Sequence, residues 1–236
     1  MRVKEIMNVS LHLFNSLLLF ILFSPDAHAT DVEKDRLRKA CPGVVVWESK
    51  KSEERPVISL PSSVTKGELR RQILKMEKKD QTARNISPEQ LSGGDTKAFE
   101  RLGKVDGYNL KVLRKIVGTY GVPTAQMIGL DGVQAFWLLV QHADGDIHLQ
   151  ERVLQEIRSG ASGIPLDEIA LLTDRVRINQ GRPQIYGTQF YKVGDTFVPK
   201  EIEDAADLNE RRKKMGLMPL SDYECVLRET YGRTVP

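Results

Sequence analysis

The sequence lacks every short signature that would assign a chemistry directly. There is no HExxH pair, no GxSxG-like nucleophile turn, no CxxC pair and no glycine loop in the strand–loop–helix setting of a phosphate cradle. Only 2 cysteines occur, which leaves no zinc-finger set. Neither charge sign dominates, with 35 Lys+Arg against 32 Asp+Glu, a formal net charge of +3 and no long basic run. Nucleic acid is therefore not expected as a partner. No apolar run reaches the roughly 20 residues that cross a bilayer. Internal repeats and low-complexity segments are missing as well.

What is present begins with a targeting segment. Arg2 and Lys4 precede an apolar run from Leu11 to Phe23, Ser24-Pro25-Asp26 breaks it, and Ala27-His28-Ala29 has the small-x-small form of a cleavage site. Residues 1–29 are thus expected as a signal peptide, with the mature chain starting at Thr30, no stable membrane span after cleavage, and a periplasmic or secreted location. In such a compartment Cys41 and Cys225, near the two ends of the mature chain, can form a disulfide; two buried thiols are the alternative.

The hydrophobic content of 40% and charged content of 28% are ordinary for a globular chain. Residues 30–64 read as an extension and linker, with a charged helix over Asp31 to Lys39, a short strand at Val44-Val45-Val46-Trp47, and prolines at 56 and 61. A helical domain over 65–236 follows. Thr65-Lys66-Gly67-Glu68 has the capping-box pattern ahead of Leu69, Ile73 and Met76, and Ser221 to Glu224 has it again. Asp80 and Arg84 are i,i+4 neighbours, expected as a surface ion pair. Asp106 suits the cap of the next helix, and Gly181 the C′ position of a later one. Val193-Gly194-Asp195 sits between two strand-like runs and reads as a hairpin turn. The fold class is therefore mainly α, one compact helical domain with a small β-hairpin near its C-terminal third.

Two stretches hold most of the possible chemistry. In Trp137 to Gln150 (WLLVQHADGDIHLQ) an apolar helix runs into Gln141, His142 and Asp144. Val133, Ala135, Phe136, Trp137, Leu138, Leu139 and Val140 leave that helix no wet face, which marks it as central to the core. In Asn179 to Phe190 (NQGRPQIYGTQF), amide and hydroxyl groups surround Gly181 and Gly187. His142 is the candidate general acid/base, and Asp174 or Asp144 the candidate carboxylate that orients it. Gln141, Asp144, Arg175, Asn179, Gln184, Tyr186 and Gln189 are the candidate ligand-binding residues. Asp144, Asp146 and His148 have structural roles open to them as turn, N-cap and exposed residues, so no metal is assigned, and no cofactor.

Several stretches together resemble an uncharacterised bacterial family catalogued only as a domain of unknown function. They are Met76 to Arg84 (MEKKDQTAR), Trp137 to Asp144 (WLLVQHAD), Leu172 to Val176 (LTDRV), Asn179 to Gln189 (NQGRPQIYGTQ) and Glu210 to Leu220 (ERRKKMGLMPL). The resemblance covers roughly Leu69 to Tyr223 and implies no activity, cofactor or catalytic residue. Three readings stay open: an exported hydrolase or transferase using His142, a non-catalytic module that binds a polar ligand or protein, or a polar cluster that only cross-links the core. The expected geometry for a site places His142 close to Gln184–Gln189 at the main concavity.

Overall fold

A computed structural model describes residues 31–53, 63–86, 95–159, 164–193 and 196–231. The signal peptide and its cleavage site, most of the proline-containing linker, and the turn residues Gly194 and Asp195 lie outside the described residues. The described chain is mainly helical with one two-stranded antiparallel sheet. Its order is α1 (Asp31–Ala40), α2 (Pro42–Glu53), α3 (Gly67–Arg84), α4 (Thr96–Tyr120), α5 (Ala125–Gln141), α6 (Ile147–Ser159), α7 (Leu166–Asn179), β1 (Phe190–Val193), β2 (Thr196–Pro199), α8 (Leu208–Lys214) and α9 (Leu220–Tyr231).

Two compact units share this order. One takes 57–172, and the other joins the N-terminal segment up to residue 56 with 173–236, so the division falls inside α7.

In the first unit α5 is the axis. Val133, Ala135, Phe136, Trp137, Leu138, Leu139 and Val140 are all buried, as expected of a helix without a wet face. α3 and α4 supply Leu69, Ile73, Met76, Leu102, Leu113 and Ile116 to this core. A buried side chain of this kind contributes about 1.5–3 kcal/mol over an exposed one. The helix starts differ from the expected caps. Thr65 donates its hydroxyl to the Gln126 carbonyl, so the first capping box does not form. Asp95, not Asp106, caps α4 by accepting from the Ala98 N–H. Asp106 lies well inside that helix.

α5 is broken once. Gly129 has φ 75° and ψ 167°, non-helical values that separate an opening turn from the long apolar run. A Cβ there would come within 2.8 Å of an Asp131 carboxylate oxygen. Gly129→Ala should lower stability in urea unfolding by about 1–3 kcal/mol, the usual cost of forcing a side chain into such a backbone state. An unchanged midpoint would mean that the break relaxes into a continuous helix.

In the second unit the expected strand at Val44–Trp47 is instead part of helix α2. Cys41 and Val44 join Phe190, Phe197, Met218, Tyr223, Val226 and Leu227 in one apolar cluster. A helix turns these two residues, three apart, toward the same neighbours, which a strand would not. The expected extension is therefore tied down at α1 and α2. Cys41 and Cys225 form a disulfide, and the Trp47 indole donates to the Gly216 carbonyl at 2.8 Å. The hairpin pairs Phe190 with Pro199 and Val193 with Thr196. α7 ends in a Schellman turn, with Gly181 at φ 71° and the Arg182 N–H reaching back to the Arg177 carbonyl. Ser221 does not open α9 as the second capping box required. The helix starts one residue earlier, where Asn209 accepts the Leu220 N–H.

Candidate functional site

His142 sits at the C-terminal end of α5, where the helix leaves the core. Its orienting carboxylate is neither Asp174 nor Asp144 but Asp80 on α3. The imidazole Nδ1 and Asp80 Oδ2 are 2.8 Å apart, with Asp80 wholly buried. The Arg84 Nε–H also points at Nδ1, at 2.8 Å, so this ring nitrogen meets the guanidinium as well as the carboxylate. Asp80 also accepts from Arg84 at 3.2 Å, from the Gln81 amide at 3.1 Å and from the Asn109 amide at 3.4 Å. Arg84 bridges onward to Asp106 on α4. The surface ion pair expected for Asp80 and Arg84 is thus a buried one, their side chains being 0% and 7% exposed.

The helical geometry explains this gathering. Asp80 and Arg84 stand one turn apart on the face of α3 that packs against α4 and α5, so both are carried inward together. Burial pushes the Asp80 carboxyl up, but the His142 imidazole and Arg84 guanidinium outweigh it and hold the group below its ordinary value of 3.8. Asp80 and Asp106 bring two negative charges and Arg84 one positive charge.

Two neighbouring arrangements close the same helix end. The Trp137 indole and the Gln141 amide both donate to Glu168, at 2.9 and 3.0 Å. Gln150 donates its amide to the Val140 and Gln141 carbonyls and to Asp144, satisfying carbonyls that α5 leaves open at its terminus. Asp146 caps α6 through the Leu149 N–H and pairs with Arg114, while His148 is exposed.

The second nominated stretch belongs to the other unit and is organised around Asp174. Its carboxylate accepts the backbone N–H groups of Ile185, Tyr186 and Thr188, and the Thr188 hydroxyl at 2.9 Å. Gly187, at φ 63°, turns the chain so that these N–H groups converge. Burial pushes the Asp174 carboxyl above its ordinary value, and the four donors pull the other way. Gln184 is buried and fully used, donating to the Gln189 and Lys200 carbonyls and accepting from the Gln189 N–H.

Arg212 holds the other side of the same loop. It donates to the carbonyls of Tyr186, Gly187 and Met218 and lies 5.3 Å from the centre of the Tyr223 ring. Burial pushes its guanidinium down to about 10, while the electrostatic influence of the Tyr223 hydroxyl and of Asp174 opposes the shift. Asp174 thus takes the loop's N–H groups while Arg212 takes its carbonyls. Arg175 is buried, Tyr186 half-buried and Asn179 exposed.

The nominated residues accordingly form separate networks. His142 joins Asp80, Arg84, Asp106 and Asn109, Gln141 joins Trp137 and Glu168, Asp144 joins Gln150, and Asp174 joins Gln184–Gln189. Asp80, Asp106, Glu168 and Arg212 were not nominated from sequence. Asp80, Arg84 and Arg212 do fall in the quoted MEKKDQTAR and ERRKKMGLMPL stretches, which was the available signal. A cleft of about 570 Å³ lies elsewhere, between α3 and α4, and none of the nominated residues lines it.

No curated protein and no solved structure matches the chain. A family profile does match, over residues 67–236, and on that match the chain belongs to the family of unknown function DUF6624.

Proposed function

We propose that the protein is a non-catalytic binding module, and that its polar networks hold the fold rather than carry out a reaction. The observation behind this reading is the closure of the His142 network. The His142 side chain is 2% exposed against an Asp80 that is 0% exposed, so the imidazole offers little access to substrate or bulk water. The Asp174 carboxylate, the other nominated catalytic group, is occupied by four donors from its own loop. A periplasmic or secreted location is part of the proposal, supported by the Arg2–Ala29 sequence pattern and in keeping with a disulfide.

One observation favours a second reading, an exported hydrolase or transferase. A carboxylate at 2.8 Å from Nδ1 is the arrangement that orients an imidazole for proton transfer at Nε2. Access separates the two. In the native chain His142 should resist diethyl pyrocarbonate while the exposed His148 reacts. His142→Ala should cost about 1.5–3 kcal/mol in urea unfolding, as expected for losing a hydrogen bond to a charged group. Modification of His142 as fast as His148, or a His142→Ala protein of unchanged stability, would move the assignment to the enzyme.

A further inference from the structure

The cleft between α3 and α4 has two unlike walls. On α3, Arg71, Lys75 and Lys79 follow one another at four-residue steps, so their charges repeat about every 6 Å along one edge. On α4, Tyr108, Val112, Ile116 and Thr119 form the facing stripe, with Lys115 and Tyr120 beside it. Leu69, Met76 and Ile116 are buried and give the cleft an apolar floor. Tyr108 and Tyr120 are 54% and 43% exposed, unusual for large side chains beside a core. They stand twelve residues apart, about 18 Å along the helix.

The charge around this cleft is unbalanced. Glu68 is the one acidic residue in its lining, and it is already paired with Arg71. Lys75, Lys79 and Lys115 have no carboxylate partner among the described residues. Elsewhere on this unit Arg70 pairs with Asp131, Arg114 with Asp146 and Arg152 with Glu156, whereas the cleft gathers four basic side chains against the single Glu68. The cleft therefore offers an apolar trough with a row of cations along one rim, Lys75 and Lys79 unpaired among the described residues and Arg71 shared with Glu68.

We infer that this cleft is the docking groove for an acidic amphipathic helix of a partner protein, an assignment that rests on the binding-module reading. A helix of about three turns spans the 18 Å between the tyrosines. Carboxylates at i, i+4 and i+8 on such a helix repeat at the spacing of Arg71, Lys75 and Lys79. Its apolar side chains, one position round, enter the trough over Leu69, Met76 and Ile116, where Met accommodates varied shapes. A single-stranded nucleic acid matches the rim charge and could stack on the tyrosines, but it leaves the buried apolar floor of Leu69, Met76 and Ile116 unused, which an amphipathic helix would cover.

The test is calorimetric titration of the full chain with a synthetic helical peptide of about 15 residues. The peptide carries Glu at i, i+4 and i+8 and Leu along the adjoining stripe. One peptide should bind per chain, and Lys75→Glu with Lys79→Glu should weaken it by about tenfold or more. Tyr108→Ala should weaken it too. Lys97→Glu with Lys104→Glu, the same change of charge on α4 outside the cleft, should leave binding nearly unchanged. The inference is overturned by no binding, or by equal binding of a scrambled peptide of the same composition. Equal weakening by the two charge-reversed pairs overturns it, as does tighter binding of an oligonucleotide of matched charge. None of these results alters the protection of His142, so the module reading stands or falls separately.

Discussion

Replacing Cys41 and Cys225 together with alanine should lower stability by about 5 kcal/mol on the loop-entropy account. The two residues are 184 positions apart, so the bond removes much of the freedom of nearly the whole unfolded chain. The bond also locks α2 against α9, in the cluster that contains Phe190, Phe197 and Tyr223. Alanine creates no unpaired polar group there, so the loss reports the cross-link more than the burial. Urea unfolding of the variant and of the wild type should show it, and reduction of the wild type should reproduce it. A loss under about 1 kcal/mol would mean that apolar packing and the Trp47–Gly216 bond hold α1 and α2 without the bridge.

Arg84→Leu should be nearly as damaging, at about 3–5 kcal/mol, the usual cost of removing one partner from a buried ion pair. The leucine fills the space but leaves Asp80 and Asp106 without the guanidinium between them. The effect should depend on pH, with a sign set by Asp80. Its folded carboxyl lies below the ordinary value of 3.8, so its contribution is present above that pH and is lost as pH falls through the folded value. Without Arg84 the folded value rises toward the ordinary one, so the contribution is smaller and its loss is complete at a higher pH. Asp131 and Asp146 are also held low and sharpen the acid limb of both proteins. The difference between the two curves therefore reports the two carboxylates that Arg84 bridges, Asp80 and Asp106. Parallel curves would remove Arg84 from the account of those carboxylates.

Much of the fold could be read from periodicity and turn chemistry. The apolar run of α5, the Schellman glycine at 181 and the hairpin around residue 194 are local patterns, and each emerged where its residues implied. Val44-Val45-Val46-Trp47 misled because β-branched runs suit a half-buried sheet, while here a partner helix and a disulfide set the conformation. Asp106 misled in a related way, since a residue able to cap one helix was needed inside it to meet Arg84. The site was harder to read. His142 and Asp80 are 62 positions apart, and no spacing rule links a helix end to a carboxylate on another helix. The role of Asp174 depends on the path of a loop whose N–H groups sequence patterns do not display.

The interrupted second unit has a consequence for how the chain is made. Residues 57–172 are contiguous, so that unit contains all its own parts before residues 173–236 exist. Asp31–Glu53 cannot find its partners until α9 has been synthesised. At roughly 5–20 residues per second, Cys41 precedes Cys225 by roughly 10–40 s on the ribosome. Through that interval there is no other cysteine in the chain to mispair with it, apart from the one it needs. A wrong disulfide can only be made with another molecule, since no third cysteine exists for internal scrambling.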